Sequence, residues 1–450
     1  MNTIAAIATA SGMSAIAVVR VSGPDSHRLV CQIFRQKNKP FDASKIEGYK
    51  AFYGNLVDPA TEEILDEAVV TFFVAPHSFT GEDSVEISVH GSVYIQQRLL
   101  ELLVRQGVMM AQPGEFTRRA FVNRKFDLAQ AEAVADLIES QSEASHRVAM
   151  NQLKGGFSNE LKEIRSKLLD LTSLMELELD FSEEDVEFAD RSKLKALLTE
   201  ALAHIHSLTS TFRLGNAIKR GIPVAIVGET NTGKSTLLNA LLGEERAIVS
   251  DIAGTTRDTI EEVLNIGGTL YRFIDTAGIR DTEETIERIG IERTYKKMEE
   301  ADIVIGLVDA TKTESEIAEA AHFIESHIDS NQNLILVLNK SDVSSYRSEH
   351  YVSISAKTGM GLELLKDQLL SCRKQVGTDV MLVTNMRHYE ALVHAAKSLE
   401  TVASSLDAGV PTDLVSQDLR EALFYLGSIT GEITTDEVLG NIFSRFCIGK

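Results

Sequence analysis

Residues 221–236 read "GIPVAIVGETNTGKST", and the fold of the chain turns on them. The apolar run Ile222–Val227 has the length and β-branched content of a buried strand. "GETNTGKS", Gly228 to Ser235, matches G-x-x-x-x-G-K-[ST], and an apolar helical pattern follows. A phosphate needs several backbone N–H groups aimed into one concavity. Glycines permit this by reaching positive φ, and the start of a helix adds partial positive charge. In such a loop, lined by Gly228, Asn231, Thr232, Gly233 and Thr236, Lys234 reaches the β- and γ-phosphates and the Ser235 hydroxyl ligates Mg²⁺. Further strand candidates at 270–274, 302–308 and 333–338 alternate with helix-like stretches. That alternation predicts a Ras-like α/β domain with a mainly parallel sheet.

Three stretches follow in the order a guanine-nucleotide site demands. "DTAG", Asp275, Thr276, Ala277 and Gly278, ends a strand and brings a carboxylate near the metal and a flexible glycine near the γ-phosphate. "NKSD", Asn339, Lys340, Ser341 and Asp342, follows "LILVL". The Asp342 carboxylate can accept from guanine N1–H and the 2-amino group together, a donor pair that adenine lacks. "SAK", Ser355, Ala356 and Lys357, supports the base from a neighbouring loop. Alone, "NKSD" would read as a helix N-cap; in this order the set specifies guanine. Between the phosphate loop and "DTAG" lies "SDIAGTTRDTIEE", residues 250–262, whose Thr256 hydroxyl can cap Mg²⁺ while the γ-phosphate is present. In the familiar small GTPases a glutamine follows the "DTAG" glycine and orients water. Here Ile279 stands there and can neither donate nor accept a hydrogen bond, so another group must orient the water.

The remainder of the chain has two other textures. Residues 1–118 alternate short apolar runs with Gly, Pro and Asp clusters, as a mixed α+β domain does. Residues 119–215 and 375–450 carry apolar residues at helical spacing, so a helical domain is expected to be interrupted by an inserted α/β domain at 216–374. At 450 residues and 44% apolar composition, about three packed domains are expected. The 66 acidic against 45 basic residues, a net charge of −21, argue against a broad electrostatic grip on nucleic acid. The one dense basic cluster is Arg118, Arg119, Arg124 and Lys125, which reads as a solvated face or, with no ranking between these two, as an anion contact or part of an RNA path. No signal-like N-terminus or membrane-length apolar run is present, and three scattered cysteines fit neither disulfides nor zinc, so a cytoplasmic chain is expected.

The motifs together resemble the MnmE (TrmE) family of bacterial tRNA-modification GTPases. The likeness is carried by "APHSFTGEDSVEISVHG", "PGEFTRRAFVNRKFDLAQAEAVADLI", "GTTRD", "DTAGIR", "ERIGIER" and the terminal "CIGK". It implies an N-terminal folate-binding and dimerising domain, a central helical domain and an inserted G domain. It also implies a homodimer, a heterotetramer-type complex with FAD-containing MnmG, and C5 aminomethyl-type modification of the wobble uridine of certain tRNAs. By the same resemblance Asn231, Ser250, Ile252 and Thr255 match potassium ligands within a loop that includes Asp251, Ala253 and Gly254, while Ser235 and Thr256 match magnesium ligands. Glu287 matches a catalytic glutamate acting through water. Arg20, Glu86, Lys125 and Lys450 match contacts to a folate, 5-formyl-tetrahydrofolate or another one-carbon tetrahydrofolate. Cys447 would then lie near the one-carbon unit, as a nucleophile or as pocket wall. Glu229-Thr230 departs from the family's usual Arg-Pro and puts a carboxylate beside the phosphates.

A different class of function, an Era-like ribosome-assembly switch, would share these nucleotide motifs and differ outside them by carrying a basic RNA module. A lipidated tail is opposed by Gly449, Lys450 and the absence of a polybasic run before Cys447.

Overall fold

The computed structural model describes residues 2–180, 191–245, 262–274, 298–372, 381–408, 410, 412–444, 446, 448 and 449. Its contacts divide the chain into two compact units, residues 1–138, 149–205 and 390–450, and residues 139–148 and 206–389.

The first unit opens with eight strands: β1 Ile4–Ile7, β2 Ile16–Ser22, β3 Phe34–Gln36, β4 Lys39–Pro40, β5 Lys50–Val57, β6 Ile64–Phe73, β7 Ser84–His90 and β8 Met109–Met110. They pair in the order β4-β3-β5-β6-β7-β2-β1-β8. Neighbours are antiparallel except β1 and β8, which run parallel. Period-two alternation sends Ala17, Val19 and Val21 of β2 and Val85, Ile87 and Val89 of β7 into one core. The helices Ser26–Ile33 and Val93–Arg105 contribute Leu29, Val30 and Ile33, and Leu99, Leu102 and Leu103, to that core. Arg20 and Glu86, one step out of phase, face the other way as directly paired residues of β2 and β7.

Within the same unit the helices Gly156–Asp180 and Thr412–Thr430 pack along their lengths. Leu161, Ile164, Leu168 and Leu171 of one and Val415, Leu419, Ala422, Leu426 and Ile429 of the other are buried at steps of three and four, the stripe an amphipathic helix presents to a core. The loss of one such leucine to alanine costs about 2–5 kcal/mol.

Among its described residues the second unit holds six strands, β9 Ile222–Val227, β10 Glu262–Ile266, β11 Thr269–Phe273, β12 Ile303–Asp309, β13 Asn333–Asn339 and β14 Val352–Ser353, in the order β10-β11-β9-β12-β13-β14. All neighbours are parallel except β10 and β11. Every residue of β12 is buried, which is why Ile303–Val308 reads in sequence as a continuous apolar run before the closing Asp309. β10 had no such signature: it is an edge strand, set by the Gly267-Gly268 turn that folds it back on β11. β9 has β11 on one side and β12 on the other, so the strand order reverses at its carboxyl end, where open α/β sheets place ligands.

The ends of this unit meet. The Val383 N–H donates to Thr211 Oγ1 at 3.0 Å, and the Phe212 and Tyr389 rings stack at 4.4 Å. Gly215 lies so close that a Cβ there would sit 2.3 Å from the Val383 carbonyl oxygen.

Candidate functional site

The phosphate loop spans the end of β9 and the start of the helix Lys234–Glu245. At the start of this helix the Leu237 N–H donates to Gly233 O at 2.9 Å, and the positive end of the helix dipole faces the loop. Asn231 adopts φ +62°, a left-handed conformation asparagine tolerates, and Gly233 adopts φ +96°. Lys234 folds back over the loop and donates to Gly228 O at 2.9 Å and Glu229 O at 2.8 Å. Burial pulls its pKa below the usual ammonium range, against an opposing pull from the Glu229 carboxylate. An anion in the concavity would add to the counter-charge that Glu229 supplies to Lys234.

Asn339, the last residue of β13, is buried and joins three loops. Its Nδ2 donates to the Thr232 carbonyl at 2.7 Å, and its Oδ1 accepts the Ala356 N–H at 2.9 Å. The phosphate loop, "NKSD" and "SAK" are thus fixed to one another through one amide. A Cβ on Gly233 would lie 2.4 Å from that same Nδ2, so the glycine is required by contact as well as by its positive φ. Lys340, at φ +65°, donates to Asp309 Oδ2 at 2.6 Å. Burial alone would raise the Asp309 pKa, but Lys340 and the N–H and hydroxyl of Thr311 hold it below the usual carboxylate range. Ser341 donates from its hydroxyl to Leu338 O at 3.0 Å and from its N–H to Ile354 O at 3.0 Å. Asp342 follows on this braced loop with its side chain exposed, as is that of Lys357. Ser355 is buried, while Ser235 is half-buried and Thr236 exposed in the first turn of the helix.

A second constellation lies on the N-terminal sheet. Arg20 donates from Nε at 3.0 Å and Nη2 at 2.9 Å to the same Glu86 oxygen, Oε1. The guanidinium carbon sits 5.1 Å from the Phe79 ring centroid and 5.6 Å from that of Phe116. Phe79 in turn contacts Phe126, the neighbour of Lys125, whose Nζ donates to Pro76 O at 3.1 Å. The basic cluster of 118–125 therefore divides: Arg119 is buried between Glu82 at 3.1 Å and Glu115 at 2.8 Å, while Arg118, Arg124 and Lys125 are exposed. Arg119 binds its helix to the "SFTGEDS" loop and leaves the free basic surface smaller than the sequence suggests.

The end of the chain returns to this sheet. Phe443 and Phe446 pack with Leu128, Ala131 and Leu439, and a Cβ on Gly114 would lie 3.0 Å from that of Phe446. Gly449, at φ +100°, is so close to the end of β1 that a Cβ would meet Ile7 O at 2.1 Å. Gly449→Ala is therefore expected to release the tail. Hydrogen exchange at Phe446, Ile448 and Gly449 should quicken at least about tenfold, and unchanged exchange would show that the tail is held elsewhere.

Residues 128–447 match the family model described as MnmE helical domain, and residues 3–125 match that described as GTP-binding protein TrmE N-terminus. The tRNA modification GTPase MnmE of Parabacteroides distasonis is 51% identical over 464 residues, with 100% of this chain and 100% of that protein covered. The protein of the same name from Bacteroides thetaiotaomicron is 50% identical, with 100% of this chain and 99% of its own covered. The chain belongs to the MnmE (TrmE) family. A solved FeoB G domain from Methanococcus jannaschii aligns with 34% of this chain and 96% of its own at 27% identity and a TM-score of 0.24, so the α/β architecture rests on the strand order instead.

The MnmE matches take in the segments outside the nucleotide-binding unit, where an Era-like assembly factor would have to differ. Among the described residues no helix is long and apolar enough to cross a membrane. Several positions singled out by the nucleotide motifs or by the MnmE resemblance lie outside the described residues: Ser250, Asp251, Ile252, Ala253, Gly254, Thr255, Thr256, Asp275, Thr276, Ala277, Gly278, Glu287, Cys447 and Lys450. Sequence reasoning missed the connecting role of Asn339 and the Asp309 partner of Lys340. The only sequence signal for Asp309 was an acidic residue closing an otherwise apolar strand.

Proposed function

We propose that this MnmE-family chain is a tRNA modification GTPase whose hydrolysis of GTP is stimulated by potassium and uses magnesium. In this reading residues 228–236 hold the phosphates and Asn339, Lys340, Asp342, Ser355, Ala356 and Lys357 the guanine. The observation that supports it most is the Asn339 amide, which bonds the phosphate loop on one side and the "SAK" loop on the other. A nucleotide held at both ends needs that fixed spacing. Ser235 and Thr256 would ligate magnesium, and Asn231, Ser250, Ile252 and Thr255 potassium, within a loop that also brings Asp251, Ala253 and Gly254 to the nucleotide. These ions would neutralise charge on the phosphates. "DTAG", Asp275 to Gly278, would meet the γ-phosphate, and Glu287 would orient water in place of the missing glutamine.

The Arg20–Glu86 pair suits the flat aminopyrimidinone edge of a one-carbon tetrahydrofolate such as the 5-formyl form, which would carry the transferred carbon. Both Arg20 donors use Oε1 of Glu86, so Oε2 remains an acceptor for ring N–H and amino donors. Lys125, Lys450 and Cys447 would complete that site. We assign residues 1–118 to this folate-binding and homodimerising domain, 119–215 and 375–450 to the helical domain, and 216–374 to the G domain. The partner would be FAD-containing MnmG in a heterotetramer-type complex in the cytoplasm. The product would be a C5 (carboxymethyl)aminomethyl group on the wobble uridine of certain tRNAs.

Nucleoside mass spectrometry of tRNA from cells lacking the protein tests the pathway, and unaltered wobble uridines would refute it. Hydrolysis should be markedly faster in potassium than in sodium. Glu287→Ala should slow it about tenfold, less than the loss of a direct general base because the effect passes through a second water. Equal rates in the two salts, or a fully active Glu287→Ala, would remove the cation or the glutamate from the mechanism.

A further inference from the structure

The phosphate loop of this chain carries a carboxylate, Glu229, and the cation that answers it arrives from the turn that follows a different strand. β12 ends at Asp309, whose Oδ1 accepts the Thr311 N–H at 2.9 Å and hydroxyl at 2.7 Å. The Lys312 N–H then donates to Asp309 O at 3.3 Å, and Thr313 caps the helix Glu314–Glu325 in a capping box with Glu316. The backbone of Lys312 is therefore locked between a strand end and a helix start. From there its ammonium reaches the Glu229 carboxylate in an ion pair.

Glu229 is also held from the other side. Its carbonyl accepts Lys234 Nζ at 2.8 Å and Thr232 Oγ1 at 2.9 Å. One residue thus offers its carbonyl to the ammonium of the phosphate loop while its carboxylate is turned to the β12 turn. The carboxylate is near enough for its charge to act on Lys234, so it would also act on phosphates placed there. The other carboxylates facing Lys312 are Glu316 and Asp309, and the latter is engaged by Lys340.

We propose that Lys312 is a positioning residue for the nucleotide: it holds the Glu229 carboxylate toward the β12 turn and cancels its charge, so that an acidic phosphate loop still accepts a polyanion. This rests on reading residues 228–236 as the phosphate site. The pair is exposed, and exposed pairs add little to folding stability, so a Lys312 variant should remain folded. A carboxylate left uncompensated some ångströms from several phosphate charges should be felt mainly in affinity.

The test is binding of fluorescent GDP and of a fluorescent non-hydrolysable GTP analogue to the full chain, at low and high salt. Lys312→Ala should weaken both by about three- to tenfold, the triphosphate more because it carries more charge. The deficit should shrink in about 1 M salt, where the screening length is about 3 Å, and Lys312→Arg should retain most of the affinity. In a Glu229→Gln background, removal of Lys312 should change binding by less than about twofold. Parent-like binding by Lys312→Ala, or the same loss in the Glu229→Gln background, would overturn the proposal. A parent chain that binds no guanine nucleotide would overturn the phosphate-loop reading itself, and this proposal with it.

Discussion

Replacing Asp342 by asparagine is expected to lower GTP affinity by roughly 10- to 1000-fold, on the order of 1.4–4 kcal/mol, while xanthosine triphosphate gains. The loop that presents Asp342 does not need its carboxylate. Ser341 is fixed through its hydroxyl and N–H, and Lys340 is tied to Asp309, so the backbone should keep its course in the variant. What changes is the chemistry of an exposed side chain. A carboxylate accepts from two guanine donors; an amide offers one acceptor and one donor, the pattern that suits a base with a carbonyl in place of the 2-amino group. Titration calorimetry with both nucleotides decides the matter, and normal GTP binding by Asp342→Asn would remove this residue from base recognition.

Gly233→Ala is expected to cost at least about 100-fold in affinity for GTP and GDP alike. Two penalties act together. The position is held at φ +96°, where a side chain is strained, and the new Cβ would fall 2.4 Å from Asn339 Nδ2. If Asn339 gives way, the buried Thr232 carbonyl and Ala356 N–H lose their partner, each at about 1–3 kcal/mol. The damage thus spreads from the phosphate loop to the base loops. Asn339→Ala alone should reproduce part of the loss without the strain. If Gly233→Ala bound nucleotide as the parent does, the amide would not be coupling the loops.

The central strands of the nucleotide-binding unit were legible because burial on both faces writes a continuous apolar run, as in β12. The short strands β3, β4 and β8, of two or three residues each, were not, since their pairing depends on partners elsewhere in the sheet. The motifs of the candidate site were readable one by one, while what holds them together was not. Asn339 reaches Thr232 across 107 positions, and Lys312 reaches Glu229 across 83. Local pattern carries no trace of either. Arg119 is the intermediate case. It was read with its basic neighbours as surface, yet Glu115 one helical turn earlier marked it as paired, and only Glu82 had to come from the fold.

The meeting of Thr211 and Phe212 with Val383 and Tyr389 has a consequence for how the chain assembles during synthesis. The helices Gly156–Asp180 and Thr412–Thr430 must find each other after the whole nucleotide-binding unit has been made between them. Left as loose polymer, that stretch would impose a long-loop entropy on the encounter, growing as the logarithm of its length. Once the inserted unit has folded and clasped its own ends, the intervening chain counts kinetically as a short connection, and the two helices search as near neighbours. Loosening the clasp, for instance by Phe212→Ala, should therefore slow refolding of the helical pair more than it speeds unfolding.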